Sequence, residues 1–242
     1  MAWSKVSGAT LVATRSTSES TWNAGSLGGA VEAGDRLVAV VALYTSTGNQ
    51  TNSIADSLSN TWVLLYRGAA YSSTVMEIWT CVSAAGTPSN LTFTLNTTIT
   101  VKSIACAAYR GLDTTASTAC LDGTPLSATA TDASPDSGTT PGTTGAANGL
   151  KVGAYTDAGY SRTITAGSSD TTYTRDAHNS PTNQVTAALE TADSGAAGST
   201  ARATFGSNGS APWRCTVLVI KALAAAGVSI PVIMAQYRQR HN

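Results

Sequence analysis

Proton-transfer chemistry near neutral pH has few starting points in this sequence. The histidines are His178 and His241, and the glutamates are Glu19, Glu32, Glu77 and Glu190. His178 lies in Arg175-Asp176-Ala177-His178-Asn179-Ser180-Pro181, which reads as a turn-rich stretch between strands. A catalytic reading would have Asp176 orient His178 toward a serine. No nucleophile elbow accompanies them, so the polar loop is the better reading. Paired-carboxylate hydrolysis needs two acids roughly 5–10 Å apart across a cleft, and the spacing of these glutamates does not supply that. Glu77 and Glu190 occupy nearby positions in two repeated segments, which suits solvent-facing strand sites as readily as chemistry.

Metal and ligand chemistry is equally sparse. Asp113, Asp122, Asp132 and Asp136 lie around loops but lack the close alternation of oxygen ligands that a calcium loop requires. Cys81, Cys106, Cys120 and Cys215 are widely spaced, mostly within apolar runs, and read as buried thiols. No catalytic residue, cofactor or metal is therefore assigned. Trp22, Trp62, Trp79 and Trp213 could form a stacking platform for a sugar. Three of them sit in apolar strand patterns, however, where core packing is the commoner fate.

The elements that would position these residues are strands. Charged residues make up 12% of the chain against roughly 25% in an ordinary soluble domain. Thr, Ser, Ala, Gly and Asn take their place. Thr, Ser, Asn and Gly disfavour helices, whereas Thr packs well on a pleated surface. Asp35–Tyr44 is apolar on both faces, as a strand covered on both sides must be. Leu91–Leu95 and Ala201–Phe205 alternate, placing Phe93 and Phe205 inward. Trp62–Tyr66, Val75–Val82, Ile104–Tyr109, Leu150–Tyr155, Val185–Leu189 and Trp213–Ile220 complete the main set. Leu37, Val41, Trp62, Phe93, Ile104, Leu150, Phe205, Val217 and Val219 are the expected core.

A weak duplication runs through these strands. Gly34–Val38 matches Ala147–Lys151 at an offset of 113 residues, Asn60–Trp62 matches Thr171–Tyr173 at 111, Thr92-Phe93 matches Thr204-Phe205 at 112, and Ala108–Arg110 matches Val219–Lys221 at 111. Each half offers four strands, and such a half leaves one sheet face in need of a lid. The expected fold is all-β: one antiparallel sandwich of jelly-roll character over 1–225. Its halves are approximately 30–113 and 145–222, joined by a Ser/Thr/Pro/Gly-rich linker over 132–147.

Charge and hydropathy narrow the partners. The net charge is zero, yet no acid follows Asp193, while Arg202, Arg214, Lys221, Arg238 and Arg240 do. That distribution suits the C-terminal part to an acidic partner surface. No basic stripe interleaves with aromatics, so nucleic-acid binding is a poor reading. Met1–Lys5 does not open a secretory signal, and Val217–Val228, interrupted by Lys221, is too short to span a bilayer. Residues 226–242 read as an extended assembly arm. Gly227 permits a change of direction, Pro231 disfavours a central strand, and apolar anchors precede two cations. The candidate contacts are Ile230, Pro231, Val232, Ile233, Met234, Tyr237, Arg238 and Arg240.

The runs Gly34–Val41, Asp56–Trp62, Ile78–Cys81 and Ala107–Asp113, continued by Asn148–Ala154 and Thr216–Lys221, resemble a β-sandwich family of tailed-phage virion proteins. Ile230–Arg240 resembles the short basic tails that close small virion proteins. The resemblance implies a non-enzymatic minor tail or capsid-decorating protein, assembled into the virion in the host cytoplasm among other virion proteins in a homo- or hetero-oligomeric assembly. It implies no nucleic-acid or membrane partner. A carbohydrate- or cell-surface-binding β-sandwich module, meeting a host surface glycan, is the alternative.

Overall fold

A computed structural model describes residues 3–46, 48, 50–83, 85–140, 145, 147–158, 162–167, the backbone of 174–179, and 185–224. The expected arm, with its eight candidate contacts from Ile230 to Arg240, lies outside the described residues.

The chain is all-β and antiparallel, with several sheets, as its composition requires. The first half contributes β1 (Ser4–Arg15), β2 (Glu19–Gly25), β3 (Arg36–Tyr44), β4 (Thr51–Asp56), β5 (Val63–Arg67), β6 (Thr74–Val82), β7 (Leu91–Ile99) and β8 (Lys102–Arg110). The second contributes β9 (Leu126–Asp132), β10 (Leu150–Asp157), β11 (Ile164–Ala166), β12 (Thr174–Asn179), β13 (Thr186–Asp193), β14 (Phe205–Ser207) and β15 (Ala211–Ile220). A 3-10 turn, Thr118–Cys120, is the helical element among the described residues.

These strands build four layers. The five-stranded sheet β1-β8-β3-β6-β5 is covered on one side by β2-β7-β4, and the five-stranded sheet β12-β13-β10-β15-β9 by β11-β14. The remaining faces of the two large sheets close on each other through Val38, Val40, Ala42, Ala105 and Ala107 from one and Leu150, Val152, Ala154, Ala187 and Leu189 from the other. The seam mixes alanines and valines with larger side chains such as Met76, Ile78, Tyr109 and Ile220. The large sheets are thus covered on both faces, which explains why β3, β6 and β8 are each buried along all but their last residue.

Each half therefore has the second strand layer that the sequence reading denied it. That layer was missed because its members are short or Thr-rich. β2 and β4 show the hydrophobic alternation over too few residues to stand out. In the second half, part of the layer is irregular chain. Asp136 bridges Thr204, and Ser137 N and Thr140 N donate to Ala203 O and Ala201 O. Residues 133–140 thus lie along the second sandwich, and the chain passes from one large sheet to the other between Arg110 and Leu126. Arg36 secures that passage: its buried guanidinium donates to Asp113 O and Thr115 O and to Thr80 Oγ1.

The ladder registers give the duplication an independent test. Leu11 lies opposite Cys106 in the first half, and Leu126 opposite Val217 in the second, which aligns Leu11-Val12-Ala13-Thr14 with Leu126-Ser127-Ala128-Thr129. Arg36 pairs with Tyr109 and Leu150 with Ile220. A bulge interrupts β5 between Leu64 and Tyr66, and one interrupts β12 between Arg175 and Ala177, 111 residues on in both cases. Bulges are designed features of a sheet, and the same bulge in both halves marks a shared blueprint.

One anchor of the sequence alignment shifts by a residue. Gly34 (φ 89°) corresponds to Asn148 (φ 61°), not to Ala147. Both precede a residue whose carbonyl accepts from a turn serine: Ser83 N donates to Asp35 O, and Ser194 N to Gly149 O. The position is left-handed, which Gly and Asn tolerate and Ala does not. The correction matters because a one-residue slip exchanges the faces of a strand. Leu37 faces the small sheet of its half, whereas Leu150 faces the seam between the large sheets.

All nine residues of the expected core are buried. Phe93 is fully buried, with its ring centroid 5.1 Å from that of Trp22. Phe205 is its counterpart, 5.4 Å from Tyr155. Either Phe93→Ala or Phe205→Ala should lower the unfolding free energy by about 3–5 kcal/mol, read from urea titration.

Candidate functional site

The chemistry-bearing side chains fall into two groups, one inside the layers and one at the strand ends. Within the layers and at their rims, carboxylates serve indoles. Trp62 Nε1 donates to Asp56 Oδ2 at 2.8 Å, Trp79 Nε1 to Glu77 Oε2 at 2.9 Å and Trp213 Nε1 to Asp132 Oδ1 at 3.0 Å. A buried N–H left unpaired costs about 1–3 kcal/mol, so each carboxylate permits a large aromatic to be buried. Trp22, Trp62, Trp79 and Trp213 are all at most 9% exposed, so none offers a ring face to a sugar.

Glu77 and Glu190 are fully buried rather than solvent-facing. Glu77 Oε1 accepts from Thr51 N at 3.0 Å and from Arg67 Nε at 2.9 Å, and Glu190 Oε2 accepts from Gly167 N at 2.8 Å. They lie in different sandwiches, on either side of the seam, and face no common cleft. A neighbouring group, Tyr155 Oη to Asp157 Oδ2 at 2.6 Å, is also enclosed, and burial raises the Tyr155 pKa.

Asp176 and His178 belong to strand β12, not to a loop, because the ladder with β13 extends along them and sets His178 opposite Ala188. Their side chains are outside the described residues, as is His241. The four loop aspartates stay apart. Asp113 Oδ1 accepts from Thr115 N, Asp122 Oδ1 from Gly145 N and Asp132 Oδ1 from Ser134 N, while Asp136 pairs with Arg202. Among the described residues no group of three His, Cys, Asp or Glu could hold a metal ion. All four cysteines are free and buried, and burial raises their pKa values.

The described cations beyond Asp193 each have a partner within the chain. Besides the Arg202–Asp136 pair, Arg214 spans the two halves, donating to Tyr66 Oη at 3.0 Å, Ala69 O at 2.7 Å and Ser127 Oγ at 3.2 Å. Lys221 Nζ donates to Ala119 O at 2.8 Å. A charge-asymmetric sequence cannot reveal this, because each partner lies far away along the chain.

The strand-end group is exposed. A cleft of about 250 Å³ opens beside β1, lined by Ser4–Ser7, Ala30, Glu32 and Arg110. It exists because the β1–β8 register breaks between Lys5 and Thr10. Arg110 closes one side: Nε and Nη2 each donate to Asp35 at 2.8 Å, and Nη2 stands 3.2 Å from Glu32 Oε2. Burial pushes the Asp35 carboxyl up, but the Arg110 hydrogen bond and the Glu32 N–H hold it below its ordinary value. The next residue marks where the C-terminal chain departs, for Leu223 N donates to Gly111 O at 2.9 Å. The cleft and the root of the expected arm thus share one end of the molecule. The arrangement offers polar contacts and contains no nucleophile–base pair. The sequence signal for it was the pair of motifs Gly34-Asp35-Arg36 and Tyr109-Arg110-Gly111, read as anchors of the duplication and of the family resemblance.

No family model, no curated protein and no solved structure matches this chain.

Two outcomes follow from the burial and charge of these groups. The four thiols should ignore a thiol reagent in the native protein and all react in denaturant. The folded pKa of Asp35 is depressed, so its contribution to stability is present above about pH 4, the unfolded aspartate value, and is lost as pH falls through the folded value. Asp35→Asn should therefore flatten the acid limb of the stability–pH curve.

Proposed function

We propose that this chain is a non-enzymatic structural component of a tailed-phage virion, a minor tail or capsid-decorating protein that contacts neighbouring subunits. Each half is a jelly roll in this reading. The strand order β1-β8-β3-β6 opposite β2-β7-β4 supports it, with β5 appended to the large sheet, and jelly rolls serve in capsids as well as in lectins. Fold alone does not assign a role. The observation that carries the proposal is the commitment of the described chemistry-bearing groups to holding layers together. The Glu77, Glu190, Asp56 and Asp132 carboxylates are spent on indoles and backbone N–H groups, which leaves a sparsely charged, hydroxyl-rich surface suited to permanent contact. The buried tryptophans withdraw the main support from a sugar-binding module.

The assembly contact is assigned to the C-terminal arm, with Ile230, Val232, Ile233, Met234 and Tyr237 as apolar anchors around Pro231. Arg238 and Arg240 supply charge-assisted hydrogen bonds to a neighbour's carboxylates. Deleting residues 228–242 should leave the melting temperature of the purified protein nearly unchanged and abolish its incorporation into particles. A truncated chain that melts much lower on its own, or that assembles normally, overturns the assignment. Copy number per particle, from quantitative mass spectrometry of purified virions, then separates a tail accessory from a capsid decoration.

A further inference from the structure

We infer that this chain is a covalently joined dimer, in which the inner face of each large sheet is a self-complementary docking surface for a sandwich of its own topology.

The strands correspond in sheet order, β1-β8-β3-β6-β5 with β9-β15-β10-β13-β12, and the ladder registers align them residue by residue. The registers place Val38 on Val152, Val40 on Ala154, Met76 on Ala187, Ile78 on Leu189 and Tyr109 on Ile220. All of these residues lie in the one seam between the large sheets. Both halves therefore use the same face. Stacking by translation would instead put the inner face of one half on the outer face of the other.

The strands that meet across the seam distinguish the remaining arrangements. β1 packs over β12, the counterpart of β5. β8 packs over β12 and over β13, the counterparts of β5 and β6. β3 packs over β13 and over its own counterpart β10, and β6 over β10. The β3–β13 contact and the β6–β10 contact are thus one contact seen from its two sides. At the far edge, Arg214 joins Tyr66 of β5 to Ser127 of β9, the counterpart of β1. Same faces in reversed strand order are what a two-fold rotation about an axis along the strands produces. This is the arrangement of an isologous dimer opened as a wedge: β1 and β8 lie close on β12 and β13, whereas β5 and β6 stand farther from β9 and β15, with the Thr118–Cys120 turn beside β5. The seam closes because its facing side chains are apolar, with Ala42, Ala105, Ala107, Ala154 and Ala187 set beside the bulkier Met76, Ile78, Tyr109 and Ile220.

The consequence is that an unbroken chain through 111–125 is not needed to hold the halves together: the seam joins them, and residues 111–122 add hydrogen bonds to the end of β15, Asp113 N to Lys221 O and Asp122 N to Val219 O. A protease recognition sequence inserted between Gly123 and Thr124, in an exposed turn, allows the full-length chain to be cut after folding. The cut protein should elute at the mass of the uncut one, and its melting midpoint should fall on dilution, by roughly 5 °C per hundredfold, because unfolding now releases two bodies. The uncut protein should show no such dependence. Fragments that separate at micromolar concentration, or a cut protein whose midpoint ignores dilution, overturn the inference. A second measurement needs no insertion. Val38→Ala and Val152→Ala in the intact chain should lower the midpoint by amounts within about twofold of each other, as equivalent positions beside a two-fold axis require. A shift at only one of them overturns the two-fold relation.

Discussion

Covering both faces of each large sheet is the constraint from which the rest of the structure follows. A sheet with one wet face can place any polar residue there, but β3, β6, β8, β10, β13 and β15 have almost no wet face to use. Every polar group on them must then find a partner inside the protein or be lost to desolvation. Thr80 Oγ1 donates to Leu37 O at 2.7 Å, Ser103 Oγ donates across the seam to Val185 O at 2.6 Å, and Lys102 Nζ donates to Thr17 O and Ile99 O. These are not sites in waiting. They allow a sparsely charged chain to stack four layers with few buried donors unpaired, among them the Thr74 and Thr156 hydroxyls.

The same constraint governs what could be read from the sequence. β3 was legible as doubly covered because Leu37 to Leu43 is apolar without a break. Phe93 and Phe205 were legible as counterparts because each follows a threonine and is the bulky residue of its run, 112 residues apart. Leu11–Thr14 and Leu126–Thr129 hold the plainest identity of the duplication, yet both lie outside the halves drawn at 30–113 and 145–222. The offset of the first anchor was wrong by one residue because matching apolar letters cannot distinguish two faces that are both apolar. The left-handed Gly34 and Asn148 could have set it, since turn chemistry fixes register where hydrophobicity is silent.

Function was less legible for a related reason. A tryptophan in a strand reads the same whether its indole N–H meets water, a sugar or a carboxylate six residues earlier, as Trp62 meets Asp56. Buried acids look like solvent-facing ones when the alternation is hidden by burial on both sides, as with Glu77 and Glu190. Arg214 and Lys221 look like free cations because Tyr66, Ala69 and Ala119 are remote in sequence. Long-range polar pairing is the part of a β-protein that periodicity cannot report.

The two buried glutamates carry this argument furthest. The registers that align Ser83 with Ser194 put Glu77 on Ala188 and Glu190 on Trp79, so the acids are not inherited from one ancestral position. They sit two residues apart on equivalent strands, and a shift of two preserves the face. Each points into the layer between its large and small sheets and accepts a backbone N–H at the end of a small-sheet strand, Thr51 N in one half and Gly167 N in the other. In the second half the space is made by Gly153, directly opposite Glu190, where a Cβ would stand 2.6 Å from the Glu190 Cγ. In the first half Arg67 and Trp79 fill the equivalent volume. Two different side-chain sets thus meet one demand. Where a short strand begins or ends inside a covered layer, the amide at that end needs an acceptor, and a carboxylate from the large sheet is long enough to reach it.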